Sequence, residues 1–179
     1  MKKHNKMKAN DNVGLWTRIK KFQVILGSFM ILMPLILILR EGFVRQSISN
    51  YAYSSHPQDL PILLTLIACL FFIDAVVHRE KWYNFVLGAF LIGIALTPHL
   101  DYPMTHYLFT GAYFVGSAFV MIYYSSTKQR FWKIIAGVIM VVTLALAFFF
   151  NVLSVFLAEW IGILPMGIHY IGEAIDKID

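Results

Sequence analysis

The sequence predicts an all-α fold, a polytopic transmembrane helix bundle of about six spans with both the N-terminus and the C-terminus cytoplasmic. Three observations carry that prediction. Hydrophobic residues fill 59% of 179 positions and charged residues only 14%, with a mean hydropathy of +0.67. Ordinary soluble domains sit near about 45–50% apolar and about 25% charged, so the excess has no core large enough to hide in. The apolar residues gather into six runs, and the basic residues cluster at alternate ends of them.

A helix crossing the hydrocarbon needs roughly 20 mostly apolar residues. The runs fall at 22–39, 60–77, 82–98, 104–124, 131–150 and 154–172. The third is short. The fifth and sixth nearly merge, and Asn151 is the natural turn between them; with Trp160 at the outer interface the sixth would slide to 160–177. Residues 1–21 read as a basic cytoplasmic tail, polar and loose, ending in an interfacial helix around Trp16 to Lys21. Residues 22–179 read as one six-helix transmembrane domain.

Orientation follows from the loops. With the N-terminus inside, cytoplasmic segments hold thirteen of the fifteen Lys and Arg residues, including Arg79, Lys81, Lys128 and Lys177, against Arg40 and Arg45 outside. The positive-inside rule reads this asymmetry as topology. Trp82, Tyr83, Tyr123, Tyr124 and Trp132 then lie at the inner boundary. The net charge of +5 is therefore a membrane signal and not a nucleic-acid footprint. Leu39-Arg40-Glu41 offers no small-residue cleavage site, so the first run is expected to stay as an anchor. A multi-pass protein of a bacterial inner membrane is expected. Cys69 stands alone, which rules out a disulfide within the chain.

Packing signals come next. Ala89 with Gly93 and Ala112 with Gly116 are small residues four apart, which lets helix backbones approach closely. Pro34 and Pro165 lie within spans one and six and are expected to kink them.

Ionisable residues in a span are costly, and they turn inward toward partners. An inner group comprises Asp74 and His78 on span two with His169 and Glu173 on span six; each pair, four apart, shares a helix face. At 1.5 Å per residue Asp74 lies about 21 Å from Leu60 and Glu173 about 20 Å from Trp160, so the faces could meet at one depth. Two imidazoles and two carboxylates suit a divalent metal such as zinc, or else a hydrogen-bonded clamp. An outer group comprises His99, Asp101 and His106 near the third loop, Ser47, Ser49, His56 and Asp59 in the first, and Glu159 opposite. His99 with His106 could serve a ligand or cap the hairpin.

Ser47-Ile48-Ser49-Asn50-Tyr51 resembles the S-I-S-x-Y signature of the damage-regulated autophagy modulator and FGF-receptor-activating type family with its uncharacterised bacterial relatives. The run from Gly88 to Pro98, then His106, Tyr113-Phe114, Glu159-Trp160, Gly167, His169 and Glu173, is similar too. The resemblance implies six helices and inside termini, and little chemistry. More distantly the chain resembles the alkaline ceramidase and progestin–adipoQ receptor superfamily of seven-span zinc hydrolases. That likeness would make Ser47, Asp74, His78 and His169 the matching residues, although paired histidines are missing from the last span.

Three functional classes follow. The least demanding is an integral membrane protein without evident catalysis. It would bind a lipid, another apolar ligand, or a partner membrane subunit or second copy within its bundle, through Ser47, Asp74, His106, His169 and Glu173. The second is a zinc-dependent intramembrane hydrolase of lipid amides or esters. The third is a b-type haem anchor subunit with His78 and His169 as axial ligands.

Overall fold

A computed structural model describes residues 2–78, 81–124 and 129–175, with side chains from Lys20 onward. Arg79, Lys128 and Lys177, counted above toward topology, lie outside the described residues. Six α-helices follow in order: α1 (Lys2–Glu41), α2 (Asp59–Val77), α3 (Tyr83–Leu96), α4 (Pro103–Tyr123), α5 (Arg130–Phe150) and α6 (Val155–Ala174). A 3₁₀ helix, Ser49–Tyr53, lies between α1 and α2. Five helices are long and apolar enough to cross a membrane: α2, α4, α5, α6 and the Lys20–Glu41 part of α1. The sixth, α3, is apolar but has 14 residues. The basic stretch expected to be loose continues α1 back to Lys2 as helix.

Local chemistry explains the ends. Gly42 takes the left-handed φ of 88° and returns its N–H to Ile38 O at 2.7 Å, closing α1. Asn151 closes α5 the same way at φ 53°, as its place between two apolar runs foretold. Ser154 then caps α6, its Oγ accepting from Leu157 N at 3.3 Å. Helix α6 therefore starts at Val155 and does not slide toward Trp160. Helix α3 stops sooner than its apolar run. Pro98 disfavours helical geometry at the residue before it, and Thr97 leaves the helix at φ −122°, ψ 76°.

Helices α2 to α5 pack on their neighbours in sequence, and α1 and α6 pack mainly on each other, which closes the ring. The tightest approach is at that closure. A Cβ added at Gly27 would lie 2.5 Å from Gly167 O, and one at Gly167 would lie 2.8 Å from Gly27 O. Only two glycines allow backbones so close. Trp160 Nε1 donates to Ile31 O at 3.1 Å, within the turn of α1 that Pro34 loosens by lacking an N–H. Gly93 meets Phe109 and Gly116 meets Leu87 across the α3–α4 seam, in line with the small-residue reading. Ala89 does not take part: it faces outward, and Gly88 beside it packs on Phe72 and Ala68 of α2 instead. Its spacing from Gly93 was right, but the neighbouring glycine owns the buried face.

Polarity is inverted relative to a water-soluble protein. Leu39, Leu108, Phe119 and Phe149 lie exposed, while Gln23, Asp74, Asn84, His106 and Glu159 are buried. Such an apolar exterior fits a hydrocarbon solvent.

Candidate functional site

Two polar clusters occupy opposite ends of the bundle. At the basic end, where Lys20, Lys21, Lys81 and Lys133 lie, Asp74 is 3% exposed and fully engaged. Its Oδ1 accepts from Gln23 Nε2 at 2.8 Å and meets His78 Nδ1 at 2.9 Å; its Oδ2 accepts from Asn84 Nδ2 at 2.6 Å. Tyr170 of α6 donates to Asn84 Oδ1 at 3.0 Å. One carboxylate thus ties α1, α2 and α3 together, and Asn84 extends the tie to α6. The faces of α2 and α6 are linked, but by Asn84 and not by direct contact of the four residues proposed as ligands. Glu173 pairs with Lys81, a salt bridge between α6 and the start of the α3 segment. His169 Nδ1 is buried without a hydrogen bond, and the ring borders a groove of about 440 Å³ shared with Trp132 and Lys133. Among the described residues no three His, Cys, Asp or Glu side chains are arranged to hold a metal ion. Of the four residues considered as ligands, Asp74 and His78, one of the two imidazoles considered for haem, meet each other, Glu173 pairs with Lys81, and His169 Nδ1 makes no hydrogen bond.

The other end is built differently. Because Pro98 ends α3, the Thr97 carbonyl is released from the helix ladder, and His106 Nδ1 lies 2.7 Å from it. A carbonyl only accepts, so Nδ1 carries the proton, which leaves Nε2 of the neutral ring as an acceptor. Ser49 Oγ lies 2.9 Å from that Nε2 and donates to it. Glu159 Oε2 accepts from Ile48 N at 2.6 Å, and its Oε1 lies 3.5 Å from Ser49 Oγ. The 3₁₀ helix is thereby fastened to α6. Phe156 N adds a bond to Gln46 O at 2.9 Å. Ser47 is buried and its Oγ accepts from Asn50 N at 3.1 Å, so Ser47 shapes the loop while Ser49 faces His106. Tyr51 packs inward and donates to Phe43 O at 3.0 Å.

A cavity of about 220 Å³ opens against these residues, lined by Ser47, Ser49, Asn50, His99, His106 and Glu159 among others. Two residues that line it carry a buried polar atom without a hydrogen bond, His99 Nδ1 and Thr110 Oγ1. Buried polar groups are nearly always satisfied, so two orphans in one cavity mark a place for a partner. Burial lowers the His99 pKa below the ordinary 6.5, opposed by the Ser49 backbone and Asp101. An apolar groove of about 500 Å³ between α4 and α5 adjoins the cavity, sharing Tyr107, Thr110 and Phe148 with it. The remaining outer residues pair among themselves. Arg40 pairs with Asp59 at 2.9 Å, Tyr53 donates to Asp101 Oδ2 at 3.0 Å, His56 N meets Ser54 Oγ at 3.1 Å, and Glu41 accepts from Ser55 and Arg45.

The family model of DUF7103, a family of unknown function, matches residues 32–174. The chain belongs to that family. The matched segment holds all of α2 to α6 and both polar clusters apart from Gln23, so the DUF7103 region contains the cavity, the groove and the Ser49–His106 contact. Neither a curated protein nor a solved structure matches the chain.

Sequence reasoning brought forward Asp74, His78, His106, Ser49 and Glu159, and missed Gln23, Asn84, Thr97, Thr110 and Tyr170. Only Pro98, which frees the Thr97 carbonyl, left a signal in the sequence.

Proposed function

We propose that this protein is a six-span membrane protein that binds an amphiphile, a lipid or similar apolar molecule with a polar head. The head would lie in the Ser49–His106 cavity and the chain in the groove between α4 and α5. The observation that carries this reading is the juxtaposition of two spaces, one polar with orphaned hydrogen-bonding atoms, one apolar, that share Tyr107, Thr110 and Phe148. Taken together they fall in the size class of small-molecule sites, about 300–1,000 Å³. Helix α3 completes the sixth span. Both termini face the cytoplasm of a bacterial inner membrane, as the basic residues favour, which sets the cavity on the outer side. The likeness to the autophagy-modulator type family points the same way on span number and termini.

The test uses the purified chain in detergent and a dansylated ten-carbon alcohol as probe. Gly111 lines the groove, and a Cβ added there meets nothing within 4 Å. Gly111→Trp should fill the groove without disturbing the bundle and weaken probe binding about tenfold or more, the loss expected when a few buried methylenes are displaced. Unchanged affinity in that variant would reject the site.

A further inference from the structure

We propose that Ser49 is a nucleophile and His106 its general base, so that the distal cavity carries out acyl transfer from an ester of an amphiphilic substrate, without a metal. This rests on the amphiphile-binding reading of the same cavity and adds a reaction to it.

The geometry supplies the parts in order. A nucleophile must touch a base, the base must be held in one tautomer by a third group, and a reacting carbonyl needs room beside the nucleophile. Ser49 Oγ lies 2.9 Å from His106 Nε2, and His106 Nδ1 lies 2.7 Å from the Thr97 carbonyl. The Thr97 carbonyl is a positioning group: it holds the proton on Nδ1 and so keeps Nε2 free to receive one. His106 is 3% exposed, so the ring is held in place by the surrounding bundle. Glu159 grips the backbone N–H of Ile48 at 2.6 Å, which fixes the residue before the nucleophile. Asn50 lines the same cavity and is the neutral amide available to a developing oxyanion. The adjoining apolar groove receives the acyl or alkyl chain, so chain-bearing esters are the substrate class.

The chemistry balances with water as co-reactant. Ser49 Oγ attacks the ester carbonyl carbon as its proton passes to His106 Nε2. The bond from that carbon to the alcohol oxygen breaks, and the departing alcohol takes the proton from Nε2. Water then attacks the acyl-Ser49 ester, giving a proton to Nε2. The carboxylic acid leaves, and the proton returns to Ser49 Oγ.

The experiment treats the purified full chain with a decyl fluorophosphonate and reads intact mass and peptide position. One adduct on Ser49 is expected. Ser49→Ala should abolish it, Ser47→Ala should leave it, and His106→Gln should slow labelling about 100-fold or more, the usual contribution of a general base. Melting temperatures of the three variants, together with binding of the dansylated alcohol, keep folding and site occupancy separate from reaction. Variants that melt like the parent and bind the alcohol, with a parent that never labels, would overturn the nucleophile while leaving the amphiphile site intact. Labelling elsewhere than Ser49, or unaffected by His106→Gln, would overturn it also. Loss of alcohol binding by the parent itself would remove both readings.

Discussion

The two polar clusters use the same side-chain types to opposite ends. Around Asp74 every acceptor is met: Gln23, His78 and Asn84 supply donors, and Tyr170 closes the far side. Around His106 the bonds are as short, yet His99 Nδ1 and Thr110 Oγ1 stay unmet beside open volume. A saturated network stabilises and rigidifies, whereas one with orphans beside a cavity is poised for a ligand. The distinction belongs to the network around Asp74 itself: His169 Nδ1, at the same basic end but outside that network, is also without a hydrogen bond.

That contrast can be broken by stability measurements in detergent. Asp74→Ala should cost roughly 2–3 kcal/mol, since buried hydrogen bonds in membrane proteins are worth about 0.6–1 kcal/mol each and three are lost, two between helices and one to His78 at the end of α2. The readout is the shift in thermal unfolding followed by tryptophan fluorescence, and a loss no greater than that of Ser49→Ala would erase the distinction. Gly167→Val probes the α1–α6 closure that both ends share. Overpacking against Gly27 O should cost about 1–3 kcal/mol in the same assay, with alcohol binding impaired only in proportion to unfolding. Tyr170→Phe removes one bond, to Asn84, and should cost about 0.6 kcal/mol; a null result would mean that α6 is not tied into the Asp74 network.

The smallest expected effect is a pH slope from the distal loop. His99 in the folded protein holds its proton less tightly than in the unfolded chain, because burial disfavours the charged ring. Its contribution is therefore present in full above the ordinary pKa of 6.5 and declines as pH falls below it, where the unfolded state gains the proton. His99→Asn should flatten the decline in melting temperature between about pH 6.5 and pH 5, and an identical slope would refute this assignment.

The helices were legible because lipid leaves few alternatives: apolar runs of sufficient length must be rods with internally paired backbones. Asn151 was legible as a turn for the same reason, being polar between two such runs. The site was half legible. Asp74 and His106 announced themselves by the cost of an ionisable group in a span, but Gln23 and Asn84, being neutral amides near span ends, carried no such signal. Ser47 and Ser49 are chemically alike and two apart, and only the turn of the 3₁₀ helix decides that Ser49 meets the imidazole. The Thr97 carbonyl is backbone, invisible to any reading of side chains; its trace was Pro98, assigned to the end of a span when it in fact cuts one short.

That early stop has a consequence for the surrounding bilayer. With 14 residues, α3 is about 21 Å long at 1.5 Å per residue, against about 30 Å of hydrocarbon. Hydrophobic mismatch of this kind is relieved by local thinning, which draws phospholipid glycerol ester groups down toward the short helix. Under the six-span topology proposed above, the dimple would form beside the α3–α4 hairpin that carries His99, bringing ester linkages toward Ser49 while their acyl chains remain in the leaflet.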